Sequence, residues 1–165
     1  MTTHPALRQF LGLIGWMAVT FATGAIGALA SANAASFYGQ LVQPTWAPPA
    51  GLFGPVWSAL YLMIAISGWL VWRSRSFASD RTTLALFMMQ LAANALWSWL
   101  FFQWHLGAWA FAEILLLWLL IVLCVVRFRR HSTAAALLLL PYLGWVSFAA
   151  ALNLALWRAN PTVLG

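Results

Sequence analysis

Lysine is absent from this chain of 165 residues, and its only acidic side chains are Asp80 and Glu113. Charged residues make up 6% of the sequence and hydrophobic residues 64%, whereas a soluble domain carries roughly 25% charge and about 45–50% apolar residues. Too few charges exist to cover a surface facing water, so a soluble globular protein is excluded. High hydrophobicity excludes a disordered chain as well. Cysteine is nearly absent: Cys124 stands alone, cannot form an intrachain disulfide, and reads as a small buried apolar residue. There are no paired carboxylates, Cys/His cluster, HExxH, Gly-rich phosphate loop or Ser-His-Asp set, so no hydrolytic chemistry, metal site or obligatory cofactor is expected. What remains is a small integral membrane protein.

Long apolar runs are what the sequence does have. Each membrane helix takes roughly 20 residues, and five such runs nearly exhaust the chain. The prediction is one all-α domain over 1–165, with transmembrane helices at about 7–30, 52–73, 82–104, 106–127 and 133–158. The runs are continuous rather than alternating, which excludes a membrane barrel. Arg8, Arg73, Arg75, Arg81, Arg127, Arg129 and Arg130 fall on one side of the bundle and Arg158 on the other. The positive-inside rule then puts the N-terminus in the cytoplasm and the C-terminus outside, with a bacterial inner membrane as the expected location. A net charge of +6 therefore reads as topology, and nucleic acid is not expected as a partner. Ala32-Asn33-Ala34 after the first run mimics a signal-peptidase site, but that run is longer than the roughly 7–15 residues of a signal sequence. It is kept as the first helix. Small residues on it (Gly24, Gly27, Ala28, Ser31), with Ala85, Ala92 and Ala93 on the third, allow close packing and are candidate homodimer surfaces.

The connection at 31–51 is long, uncharged and Pro-rich, including Gln43-Pro44-Thr45-Trp46-Ala47-Pro48-Pro49. Proline fixes φ and removes a donor, so the segment is expected to be stiff, extended and free of helix. Phe37, Tyr38 and Trp46 mark it as an ordered lid on the outer face of the bundle.

Polar side chains are unnecessary to a membrane helix, so those present are informative. Gln90, Asn94, Trp97 and Phe101 form one stripe on the third helix. Trp145, Ala149 and Asn153 repeat it on the fifth, Trp57 and Tyr61 on the second, and Trp109 and Glu113 on the fourth. These stripes converge in the outer half, predicting a Trp-lined pocket under the lid. Trp72, Trp104 and Trp157 read as interface anchors, and Trp16, Trp69 and Trp118 as facing lipid or neighbouring helices. Glu113 is either a buried, protonated, hydrogen-bonded side chain or a polar contact or proton site in the pocket. His105 reads as a solvated residue at the outer helix end, with haem-iron ligation as the sharper alternative. A Trp-lined slot suits a flat aromatic ligand.

The loop segment Gln43 to Pro49 followed by Gly54-Pro55-Val56-Trp57, the run Gln90-Leu91-Ala92-Ala93-Asn94 before Trp97, and Pro141-Tyr142-Leu143-Gly144-Trp145 through Asn153 to Trp157-Arg158 resemble the tryptophan-rich sensory protein family. That family includes the mitochondrial translocator protein, or peripheral benzodiazepine receptor. The resemblance implies a five-helix, commonly dimeric bundle that binds protoporphyrin IX or haem, in sensing, transport or disposal of tetrapyrroles. It also implies ligand contacts at Tyr38, Pro48, Trp57, Asn94, Trp97, Trp145, Ala149 and Asn153, to which the stripe adds Phe101. Some bacterial relatives are reported to degrade protoporphyrin in light, with the residues matching Trp57 and Trp145 implicated, so those two are the candidate catalytic residues of a photo-oxidative enzyme. A lipid or sterol transporter, or a membrane interaction protein, is the further alternative. In the stretch Leu152 to Arg158, Leu154 stands where the sterol motif of the animal proteins has Tyr, so sterol recognition there is not expected.

Overall fold

A computed structural model of the chain describes residues 5–74, 77 and 80–165, and among them no strand occurs. Helix α1 is Pro5–Ala30, α2 is Ala34–Gln40, and α3 is Phe53–Arg73, entered through a 3-10 turn at Ala50–Leu52. Helix α4 is Arg81–Ser98 and runs on into a π-helical turn at Trp99–Gln103. Then come α5 (Gly107–His131), α6 (Thr133–Leu138), α7 (Leu140–Ala159) and α8 (Pro161–Leu164). Five stretches, Ala6–Ala30, Ala50–Arg73, Arg81–Gln103, Gly107–His131 and Thr133–Ala159, are long and apolar enough to cross a membrane. The protein is an integral membrane protein built as a five-helix bundle.

Three local features depart from the sequence expectation. The long connection is not free of helix: its prolines begin at Pro44, so Ala34–Gln40 keeps all its amide donors and folds as α2. The fourth connection shrinks to Ser132, because α5 continues to His131 and carries Arg127, Arg129 and Arg130 in its final turns. Of the second connection, Arg73 ends α3 and Arg81 begins α4, while Arg75 lies outside the described residues.

The fifth span is interrupted. Pro141 has no amide to offer residue 137, and its ring crowds that carbonyl. The backbone responds with a tighter turn, in which the Leu139 amide donates to the Ala136 carbonyl at 3.1 Å. The two halves then diverge in what they touch. Helix α6 packs on α3 and α5, and the Ser67 hydroxyl donates to the Ala135 carbonyl at 2.7 Å. Helix α7 stays against α5 and makes few contacts with α3. The bundle is therefore tight at its arginine-rich end and parts between α3 and α7 at the loop end.

Aromatic packing closes the tight end. Phe77, Phe87 and Phe128 meet with ring centroids 5.6–6.1 Å apart, and Trp16 packs on Phe77 and Phe87 rather than on lipid. Asp80 caps α4 there by accepting from the Thr83 amide at 3.1 Å and from the Thr83 hydroxyl. Arg127 lies 3.8 Å and His131 3.4 Å from the same carboxylate.

At the other end Asn160 ties the loop down by hydrogen bonds. The Val42 amide donates to Asn160 Oδ1 at 2.8 Å, and Asn160 Nδ2 donates to the Val42 carbonyl at 3.0 Å. The loop also ties itself together: the Tyr38 hydroxyl donates to the Pro48 carbonyl at 3.0 Å, and Gln43 Nε2 donates to the Tyr38 carbonyl. Burial pushes the Tyr38 phenol above its ordinary pKa, which keeps it a donor. Trp46 rests edge-on against Phe148 while remaining half exposed.

Two predictions follow from these ties. The Thr83 hydroxyl and amide, helped by His131 and Arg127, lower the Asp80 pKa from 3.8 to about 2. A depressed carboxylate pKa stabilises the folded state above the unfolded pKa and loses that contribution as pH falls through the folded one. Asp80→Ala should therefore lower the melting temperature by about 2–5 °C at neutral pH, and the gap from wild type should close between pH 4 and 2, as thermal melts in detergent will read. Asn160→Leu removes both hydrogen bonds to Val42, which should raise amide exchange across residues 38–43 by roughly 10–100-fold while exchange in the core of α5 stays unchanged.

Candidate ligand-binding site

The gap between α3 and α7 is a cavity of about 610 Å³. Its walls come from α1 (Phe21, Gly24, Gly27, Ala28), α2 (Ala34, Tyr38), α3 (Phe53, Trp57, Ser58, Tyr61), the end of α4 (Trp97, Ser98, Phe102) and α7 (Trp145, Ala149). Two glycines make the approach of α1 possible. A Cβ on Gly24 would fall 2.7 Å from the Tyr61 ring, and one on Gly27 would fall 3.2 Å from the Ser98 hydroxyl. Small residues on α1 thus hold it close to α3 and α4 and line the cavity besides.

The side chains form two layers. Trp57, Trp97 and Trp145 stand in the upper layer, toward the loop. One turn closer to the arginine-rich end on each of the same helices are Tyr61, Asn94 and Tyr142. The Tyr61 hydroxyl donates to Asn94 Oδ1 at 2.6 Å, and Asn94 Nδ2 donates to the Tyr142 hydroxyl at 2.9 Å. This chain links α3, α4 and α7 one turn beneath the indoles; its Tyr61 lines the cavity, while Asn94 and Tyr142 stand buried behind it. Trp57 lies over Tyr61 with centroids 5.4 Å apart and meets Tyr142 edge-on at 6.2 Å. Trp145 is backed by Phe53 at 5.9 Å.

A second polar chain fixes Trp97. Its indole N–H donates to Asn153 Oδ1 at 3.1 Å, and Asn153 Nδ2 donates to the Gly107 carbonyl at 3.1 Å. The Gly107 carbonyl thereby accepts from a side chain at the start of α5, and the indole plane is locked.

Of the sequence-predicted residues, Tyr38, Trp57, Trp97, Trp145 and Ala149 line the cavity. Asn94 and Asn153 lie behind that wall, buried and committed to the two polar chains. Pro48 contributes its carbonyl to Tyr38 and does not reach the lining. Phe101 is 2% exposed and stacks under Trp97 at 5.4 Å. The π turn at Trp99–Gln103 holds more residues than an α turn, and Phe102 instead takes the cavity-facing place.

The fourth-helix stripe does not converge on the cavity. Trp109 is 68% exposed, and Glu113, although buried, lies outside the lining, because α4 and α7 pack between α5 and the cavity. Neither carboxylate oxygen of Glu113 nor the amide of Gln90 makes a hydrogen bond within the described residues, so the expected hydrogen-bonded carboxyl is not what the structure shows. Ala93 is in the core and unavailable to a second copy. Trp69 and Trp118 point their N–H groups at Gln9 and Ser147, and Trp72 packs beneath Arg8.

Several lining residues were not assigned to a site from sequence. Tyr61 shares the Trp57 stripe, and Gly24, Gly27 and Ala28 carried only a packing role. Phe21, Ser58, Ser98 and Phe102 gave no signal, because an isolated Phe or Ser in an apolar run has no distinguishing periodicity. Among the described residues no cluster of His, Cys, Asp or Glu could hold a metal ion.

Comparison with known proteins accords with this geometry. Residues 16–158 match the TspO/MBR family. The chain is 37% identical over 153 residues to Tryptophan-rich protein TspO of Archaeoglobus fulgidus, covering 92% of this chain and 99% of that one. It is 37% identical over 142 residues to Protein CrtK of Rhodobacter capsulatus, covering 84% and 86%. It is 35% identical over 126 residues to the Translocator protein of Homo sapiens, covering 75% of each. The matched region begins within α1 and runs through every later helix as far as Arg158 in α7, and the chain belongs to the TspO/MBR family.

Proposed function

We propose that the cavity binds a planar tetrapyrrole, protoporphyrin IX or haem, and that the protein acts in sensing, transport or disposal of that ligand. The observation that carries this reading is the layer of Trp57, Trp97 and Trp145 set around a cavity of about 610 Å³. Ligand sites commonly fall at roughly 300–1,000 Å³, and indole faces favour a flat conjugated ring over a compact aliphatic one. The Asn94 and Asn153 chains hold two of the walls rigid, so little ordering is left to occur on binding. We further place the arginine-rich end in the cytoplasm of a bacterial inner membrane, with the cavity opening to the other side.

A second reading, light-driven oxidation of the bound porphyrin by oxygen, draws on the position of Trp57 and Trp145, both of which face whatever fills the cavity. It needs no acid or base from the protein. Binding is tested by titrating protoporphyrin IX into detergent-solubilised protein and reading the shift in porphyrin absorbance. Trp57→Phe and Trp145→Phe should each weaken binding about three- to tenfold, and unchanged affinity in both variants would remove the cavity as the site. Under illumination in air, the oxidative reading predicts a new absorbing product formed faster than in protein-free detergent; equal rates dismiss it.

A further inference from the structure

A second, smaller cavity of about 380 Å³ opens at the loop end beside the first. Ala32 and Phe102 stand in the walls of both, so the two cavities adjoin at these residues. Their chemistry differs. Whereas the larger cavity is walled by aromatic and small side chains, with serine and tyrosine hydroxyls as its polar groups, the smaller one presents Asn33, Ser36, Gln40, Gln103 and His105.

The imidazole among these is held in place. His105 stacks face to face on Phe37, with centroids 4.1 Å apart and planes 10° from parallel. Phe37 in turn meets the shared wall residue Phe102 edge-on at 6.4 Å. The His105 backbone sits at φ 55, a left-handed conformation uncommon outside glycine, which turns the chain between the π turn and α5. The Asn33 side chain precedes α2 yet makes no capping hydrogen bond to it. Both acidic side chains of the sequence lie elsewhere, Asp80 at the arginine-rich end and Glu113 inside α5.

Carboxamides, a hydroxyl and an imidazole can each donate a hydrogen bond, and with no Asp or Glu side chain among them to repel an anion they make a recess suited to a carboxylate. We propose that this recess is the carboxylate subsite of the larger cavity: the ring of a tetrapyrrole lies among the indoles, and a propionate arm passes Ala32 and Phe102 to reach Asn33, Gln103 and His105. The proposal rests on the tetrapyrrole reading above and adds to it a requirement for an acidic side arm. It makes the loop end a specificity filter, separating ligands with free carboxylates from flat apolar rings of equal size.

The test compares protoporphyrin IX with its dimethyl ester, which keeps the ring and removes both charges. Each is titrated into wild-type protein and the Asn33→Leu, Gln103→Leu double variant in phosphatidylcholine nanodiscs. The proposal expects the double variant to bind protoporphyrin IX about tenfold more weakly, the size of one charge-assisted hydrogen bond, and to bind the ester as wild type does. Unchanged ester binding also shows that the variant is folded and its main cavity intact. Equal loss for both compounds, or no loss for either, overturns the subsite while leaving the tetrapyrrole reading standing. A wild-type protein that binds neither compound overturns that reading and the subsite with it.

Discussion

One carboxamide holds three membrane helices at a fixed separation. Asn94 accepts from Tyr61 on α3 and donates to Tyr142 on α7, and all three side chains sit one turn below an indole on their own helix. In the hydrocarbon interior a polar group has no water to return to, so such a chain of hydrogen bonds is retained once formed. Its length sets how far α3 and α7 stand apart beneath the cavity. Without that brace, the indole layer would have no fixed spacing.

Above that brace the cavity exists because two helices are imperfect. Pro141 divides the fifth span, so its lower half packs on α3 while its upper half leans on α5. The π turn at Trp99–Gln103 redirects the end of the third span, bringing Phe102 to the cavity and burying Phe101 under Trp97. Irregular backbone is tolerated at membrane depth where protein or a cavity surrounds it; the π turn borders the cavity through Phe102, and the break before Pro141 closes on itself through the Leu139–Ala136 hydrogen bond. The first helix covers the remaining side through glycines at positions that a side chain would obstruct. Asn160 then draws the loop down over the open end.

The five spans were legible because each is a continuous apolar run of sufficient length, and the arginines separated the two ends. Trp57, Trp97, Trp145 and Ala149 were legible because periodicity places each on one face with a polar neighbour. Asn94 and Asn153 were drawn from the same stripes, yet they stand behind the wall: a helical stripe is wide enough to hold both a cavity-facing residue and the group that braces it. Trp109 and Glu113 shared a stripe that faces elsewhere, since periodicity on one helix does not say which neighbour that helix meets. Helix α2 was hidden by the prolines that follow it. Asn160 was illegible because its partner is the backbone of a residue 118 positions away.

The cavity is an apolar slot with three indoles, a hydrogen-bonded brace beneath them and a tethered loop above, with Asn94 and Asn153 turned toward the protein, and it is there that we propose a planar ring binds. Membership in the TspO/MBR family agrees with that architecture. The most direct measurement is an experimental structure of the protein with protoporphyrin IX bound. The account predicts the ring among Trp57, Trp97 and Trp145, above an intact Tyr61–Asn94–Tyr142 chain. Porphyrin seated instead on the outer surface, against exposed residues such as Trp104 or Trp109, with the cavity empty, would contradict it.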